Sequence, residues 1–213
     1  MTLVCFALPF ESVSFEKCVR TEMSVRVVHT GMGSEMAVPR LQAAIHEYRP
    51  SRIILSGFAG ALHPDWRAGD LVIARNLSSS EWLERIEQAA YAAGVRSGEL
   101  FTAGEVIDSP RAKAEMRART GADAVDMESA ALHRAATDAG IPVLTIRSIS
   151  DDAHSDMVVP SALLAGAAEH GIGGTVRLLA WVLSHPSKWV DFSRFVRNSK
   201  QAQFALSRVA QFV

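Results

Sequence analysis

Ile141-Pro142-Val143-Leu144-Thr145-Ile146-Arg147-Ser148-Ile149-Ser150-Asp151-Asp152 contains the most strand-like run of the chain. Branched residues dominate it from Ile141 to Ile149, and Arg147 and Asp151 bracket its polar end. Working outward, Ser129 to Ala139 reads as a helix stopped at Gly140, and Ala124 to Met127 as a short extended piece before it. Upstream, strands are expected at Leu3–Ala7, Val25–His29, Arg52–Ser56 and Asp70–Ala74, with an extended piece at Leu100–Gly104. Helices are expected from Thr30-Gly31-Met32-Gly33-Ser34 to Arg49 before Pro50, from Ser80 as cap to Ala93, and from Asp108-Ser109-Pro110 onward. A long helix is expected over residues 161–184. Short β-branched runs alternating with longer helical ones give an α/β sheet layered by helices.

Composition narrows the class. The chain has 213 residues, 48% hydrophobic and 21% charged, enough for one core without disulfides or metal. A formal net charge of -1 supplies no field that would draw nucleic acid. Cys5 and Cys18, placed on or near the first strand, have neither metal-ligand spacing nor a disulfide framework, so a reducing compartment is expected. There is no secretory-type opening and no apolar run long enough for a bilayer, which makes the cytoplasm the expected location. Two units are expected: a main domain over residues 1–185 and a tail over 186–213. The tail sets Trp189, Val190, Phe192, Phe195 and Phe204 against Lys188, Arg194, Arg197, Lys200 and Arg208, as an amphipathic helix pair would. Packing on the domain or on a partner subunit is the expected use of that face, with membrane-surface contact as the alternative.

Three segments put polar groups where an α/β sheet holds its ligand, at the carboxyl ends of strands. They are Ala7-Leu8-Pro9-Phe10-Glu11, Ala124-Val125-Asp126-Met127-Glu128-Ser129, and Arg147-Ser148-Ile149-Ser150-Asp151. Singly, each has an ordinary explanation: a solvated loop acid for Glu11, a first-turn carboxylate for Glu128, and a helix cap for Asp151. His29, His63, His133 and His154 do not form a ligand set, so no metal is expected. Gly31-x-Gly33 lacks the third glycine of a dinucleotide loop.

Taken in order, the blocks V-D-M-E-S-A-A at 125–131, R-S-I-S-D at 147–151, L-S-G-F-A-G-A-L at 55–62 and T-G-M-G at 30–33 are distinctive. Together they resemble the nucleoside phosphorylase superfamily, in particular its nucleosidases for methylthioadenosine and S-adenosylhomocysteine. The resemblance runs from Leu3 to about Leu183. It implies a three-layer α/β/α fold around a central mixed, partly barrel-like sheet, cleavage of a purine nucleoside, no cofactor, and a homo-oligomer, a dimer above all. By position, Asp151 matches the acid that protonates the purine at N7, and Glu11 the residue that activates water. Arg147 matches the cation that holds that water and orients the acids. Glu128 matches the ribose ligand and Met127 the sugar wall. Ser150 is expected to bond near Asp151, and the backbone of 101–107 to line the base pocket.

Where the family pattern has a serine after the glycine of the 56–60 block, this chain has Gly57-Phe58, and Val106-Ile107 stand where a stacking phenylalanine is expected. The segment between Ala74 and Glu81 is shorter than in typical members. A large or lipophilic 5′ substituent suits those departures, as in the adenosylhopane-acting branch of hopanoid biosynthesis; futalosine hydrolases are a further relative. Hydrolysis is favoured because Glu11 would repel a phosphate dianion. Phosphorolysis, with phosphate as co-substrate, stays open as the alternative, and a non-catalytic nucleoside-binding module as another.

Overall fold

Unbroken apolar runs let one sheet bury both faces, because successive side chains alternate between them. In the computed structural model, which describes residues 1–156, 181 and 184–213, β1 (Thr2–Phe6) shows this plainly. Leu3 and Cys5 point into one apolar cluster, Val4 and Phe6 into the other. β3 (Arg52–Ala61) does the same with Ile53 and Leu55 against Ile54. Each such buried side chain contributes about 1.5–3 kcal/mol.

Helices α2 (Ser34–Tyr48) and α5 (Ser129–Asp138) cover the first face with Ala37, Leu41, Ala44, Leu132 and Ala136. On the second lie α1 (Pro9–Cys18), α3 (Ser80–Ala92) and α6 (Trp189–Leu206), through Phe15, Trp82, Ile86, Ala205 and Leu206. The architecture is thus three layers, helices on both faces of an eight-stranded mixed sheet.

Strand order is β2 (Val25–His29), β1, β3, β8 (Val143–Asp151), β4 (Leu71–Ala74), β5 (Arg96–Gly98). β4 runs antiparallel to β8, and the other pairs on this path are parallel. The far end of β3 also pairs with β7 (Ala124–Asp126), which carries β6 (Leu100–Thr102). Between these branches Ala59, Ala61, Val72, Ala74, Leu100, Ala124 and Ile149 close one apolar cluster, the barrel-like corner of the sheet.

Several boundaries differ from the sequence reading. β3 runs through Gly57-Phe58-Ala59-Gly60 to Ala61 instead of stopping at Ser56, because those residues keep pairing with β8 and then β7. The segment after β1 is a helix, α1, with Pro9 at its first turn, and Cys18 is its last residue. α3 is capped at Ser79, one residue before Ser80, and the Ser79 hydroxyl accepts from the Val143 amide at 2.9 Å. β5 was not foreseen. The tail is one helix followed by a 3-10 turn (Ser207–Phe212), not a helix pair; Val209 and Phe212 enter the same cluster as Val4 and Phe15. The helix expected over 161–184 falls outside the described residues except at Trp181 and Ser184. Among the described residues no helix is long and apolar enough to cross a membrane. α4 (Pro110–Thr120) starts where expected, with the Ser109 hydroxyl accepting from the Ala112 amide.

Candidate active site

β3 and β8 leave the core side by side and in parallel. Gly57 sits opposite Arg147 and Phe58 opposite Ser148. The register then slips between Ala59 and Gly60, so that Gly60 faces Asp151. Ser150 is the extra residue of this bulge, a feature common beside active sites because it re-aims side chains. Gly57 has φ 136°, and a Cβ there would lie 2.5 Å from Arg147 Nη1 and 3.1 Å from Glu11 Oε2. Glycine is required twice over, by conformation and by space.

Arg147 is 2% exposed and gathers the acids. Its Nη2 pairs with Asp126 Oδ2 at 2.8 Å and donates to Ser129 Oγ at 2.7 Å. Nε donates to the same Oγ at 3.1 Å, and Nη1 to the Ser56 carbonyl at 2.8 Å. Asp126 is held in turn: Thr102 Oγ1 donates to its Oδ1 at 2.8 Å, and the Ser129 amide to its Oδ2 at 3.1 Å. A buried cation with every nitrogen bonded to protein is a fixed electrostatic post.

Glu11 is 5% exposed, so the solvated-loop reading fails. Standing at the third position of α1, it reaches back to the Leu8 amide, which donates to Oε2 at 3.0 Å, as in a capping box. The Phe58 amide donates to Oε1 at 3.1 Å. Burial raises its pKa, opposed by those backbone donors and by Arg147.

Glu128 is the cap residue of α5 and is also buried. Its Oε1 accepts from the Gly33 amide at 2.6 Å, at the start of α2, where φ of 80° at Gly33 aims that N–H. Burial pushes Glu128 up to about 7; the charges of Asp126 and Glu11 add to this, while Arg147 and the Gly33 N–H oppose it. Three carboxylates therefore share one guanidinium.

Asp151 ends β8 some way off. Gly57 and Gly60, the glycines that flank the two groups, are three extended residues apart, roughly 10 Å. Lys113 from α4 is 1% exposed, and its Nζ pairs with Asp151 Oδ2 at 2.5 Å. The same ammonium donates to the Asp152 carbonyl at 2.7 Å and the Ser155 carbonyl at 3.4 Å. Ser150 Oγ lies 2.8 Å from Asp151 Oδ1, on the other side of the carboxyl. Asp151 is thus an ion-pair partner, not a cap.

Phe58 is half-buried and meets Phe10 edge-on at 5.7 Å between ring centres. Met127 is half-buried, its carbonyl accepting from Ser34 Oγ at 3.2 Å. Val106 and Ile107 lie half-buried in the loop between β6 and α4, Ile107 against Leu62, Ala103, Met116 and Val125. His29 bonds Ser12 Oγ at 2.8 Å and His154 faces the Pro64 carbonyl at 3.1 Å, both in structural contacts. Among the described residues no group of three His, Cys, Asp or Glu side chains is placed to hold a metal. Sequence reading missed Asp126, Ser129, Thr102 and Lys113. Asp126 sat within the Met-Glu block, whereas Lys113 carried no local signal.

Such a site, acids and one guanidinium at one end and a carboxyl–ammonium pair at the other, stands on a fold with known relatives. The phosphorylase superfamily profile matches residues 7–79 and 75–170, so the chain belongs to that superfamily. The DeoD-type purine nucleoside phosphorylase of Geobacillus kaustophilus is 29% identical over 149 residues, 60% of this chain and 62% of that protein. The match thus spans less than two thirds of the curated relatives' length. The fold is that of the 5′-methylthioadenosine/S-adenosylhomocysteine nucleosidase of Campylobacter jejuni, with TM-score 0.63 at 16% identity over 84% of this chain and 97% of that one. It is also that of the futalosine hydrolase of Helicobacter pylori, with TM-score 0.70 at 14% identity over 100% and 97%.

Proposed function

We propose that the protein hydrolyses the N-glycosidic bond of a purine, adenine-type nucleoside, with Glu11, Arg147 and Asp151 as its catalytic groups. The observation that carries this reading is the placement of two charged clusters on the paired strands β3 and β8, Glu11 and Arg147 against Gly57 and the Asp151–Lys113 pair against Gly60. At one end Glu11, buried and with its pKa raised, takes a proton from water as the oxygen attacks C1′. Arg147 keeps the surrounding acids ordered, and Glu128 holds the ribose hydroxyls with the oxygen not committed to Gly33. At the other end Asp151 gives a proton to N7 while the C1′–N9 electron pair passes to the purine. Met127 and Gly57 line the sugar; Phe58, Val106, Ile107 and Ser150 line the rest of the substrate.

Water is preferred to phosphate because four of the five N–H groups of Arg147 are already committed to protein acceptors and Glu11 would stand against the dianion. The paired rings of Phe10 and Phe58 beside Glu11 favour a large or apolar 5′ substituent. An adenosylhopane-type substrate fits the same reading, since α6 exposes Val190 and Phe204 near Arg197 and Lys200. A homodimer in the cytoplasm, needing no cofactor, completes the proposal.

The test is release of free base from adenosine, methylthioadenosine, S-adenosylhomocysteine and inosine, with and without phosphate. Adenine released without phosphate supports hydrolysis, and release only with phosphate overturns the role of Glu11. Asp151→Asn should lower turnover by about 1,000-fold with the fold intact by circular dichroism. Near-parental turnover would remove Asp151 from the mechanism.

A further inference from the structure

Lys113 is a buried cation for which the reaction above has no use. Its three ammonium hydrogens meet three acceptors, Asp151 Oδ2 and the Asp152 and Ser155 carbonyls, all on the exit from β8. A neutral donor would tie this loop down at lower cost, since burying a charge is expensive even when it is paired. The two partners also differ in exposure. Lys113's side chain is 1% exposed and Asp151's is 21%, so the ammonium acts outward only through the carboxyl. Gly60 clears the approach, because a Cβ there would lie 3.0 Å from Asp151 Oδ2. Charged or titratable groups in the surrounding segments are Asp152 and His154 beyond β8, and Arg67 between β3 and β4, whose charge acts on Asp152.

We propose that Lys113 is the positioning residue of the leaving-group end, holding Asp151 toward the departing purine and neutralising the charge left on it after proton transfer. The step balances: the proton of Asp151 goes to N7, and the C1′–N9 pair goes to the purine. Water closes on C1′ and gives its proton to Glu11, from which it returns to Asp151 through solvent. As negative charge builds on Asp151, the fixed ammonium stabilises it without reorganising. The proposal rests on the nucleosidase reading above.

The experiment compares two substrates, an adenine nucleoside and 4-nitrophenyl riboside, whose leaving group departs without a proton. In Lys113→Met, kcat for the adenine nucleoside should fall about 100-fold, and for the nitrophenyl riboside by less than about threefold. Lys113→Gln, neutral but still a hydrogen-bond donor, should show the same split and serves if the Met variant does not fold. Lys113→Arg should erase most of the split. Equal losses on both substrates, or none on either, overturn the role of Lys113 alone. A wild-type protein silent on both overturns the nucleosidase reading and the role of Lys113 with it.

Discussion

Arg147 on β8 and Lys113 on α4, against the end of β8, are buried to the same degree, yet the fold surrounds them differently. Arg147 carries Asp126 in direct contact, with Glu11 and Glu128 within its field. Lys113 carries one carboxylate, partly exposed and bonded on its other side by Ser150, and two carbonyls. The first is a hub that many elements share: α1, β3, β7, α5 and the start of α2. The second is a local clasp between α4 and the end of β8. Electrostatic demand is thus concentrated around Arg147, and the Asp151 end stays accessible. A guanidinium suits the hub because it bonds in several directions at once, and an ammonium suits the clasp.

The largest expected effect follows from that contrast. Arg147→Met leaves buried acids without their cation and should cost about 4 kcal/mol of stability, whereas Lys113→Met should cost less than half of that. Urea denaturation of both variants decides it, and equal losses would break the comparison. Glu11→Gln should lower turnover about 100-fold and lower the melting temperature by less than Arg147→Met does, because the uncharged amide suits burial while its NH2 gives up one of the two oxygens that accept from the Leu8 and Phe58 amides. A melting point lowered as far as in Arg147→Met would instead make Glu11 part of the hub's scaffold.

pH sharpens the same contrast. Glu11 and Glu128 have folded-state pKa values above their unfolded ones, Glu128 at about 7. The contribution of Glu128 to stability is complete below about pH 4.5 and is lost as pH rises through about 7, and that of Glu11 falls in the same direction. The free protein should therefore lose melting temperature between pH 5 and 8, and Glu128→Gln should flatten that decline. A slope unchanged in the variant would place the titration elsewhere. The smallest effect is a control far from both cations. Ser79→Ala removes the acceptor of the Val143 amide and should cost about 1 kcal/mol, read by thermal melting, with turnover unchanged.

Much of this was legible because it is local. Apolar runs of strand length gave β1, β2, β4 and β8, and Ser109-Pro110 gave the start of α4. Glu11, Glu128, Arg147 and Asp151 each have an ordinary reading alone, and only the order of their blocks, through the resemblance, marks them as a site. α1 was missed because its inward side includes Glu11 and Ser12, which erases the apolar period of a covering helix. β5 was missed because Arg96-Ser97-Gly98 has no strand-like residue and is held by pairing with β4 alone. Lys113 was missed for another reason. In Pro110-Arg111-Ala112-Lys113-Ala114-Glu115 it reads as one more solvated charge, and only the arrival of β8 from far along the chain makes it a buried partner.

The slip between β3 and β8 also leaves a trace in the letters of the chain. Two flat neighbouring strands would keep equal counts between matched positions, yet Gly57 and Gly60 are three apart while Arg147 and Asp151 are four apart. The two strands work as a vernier, offset by one division, and Ser150 is that division. In an unslipped register Gly60 would fall opposite Ser150 instead, and Asp151 would lose its glycine clearance. A count of three against four, read between these two blocks in any relative, becomes a ruler for whether its acid points where this one does.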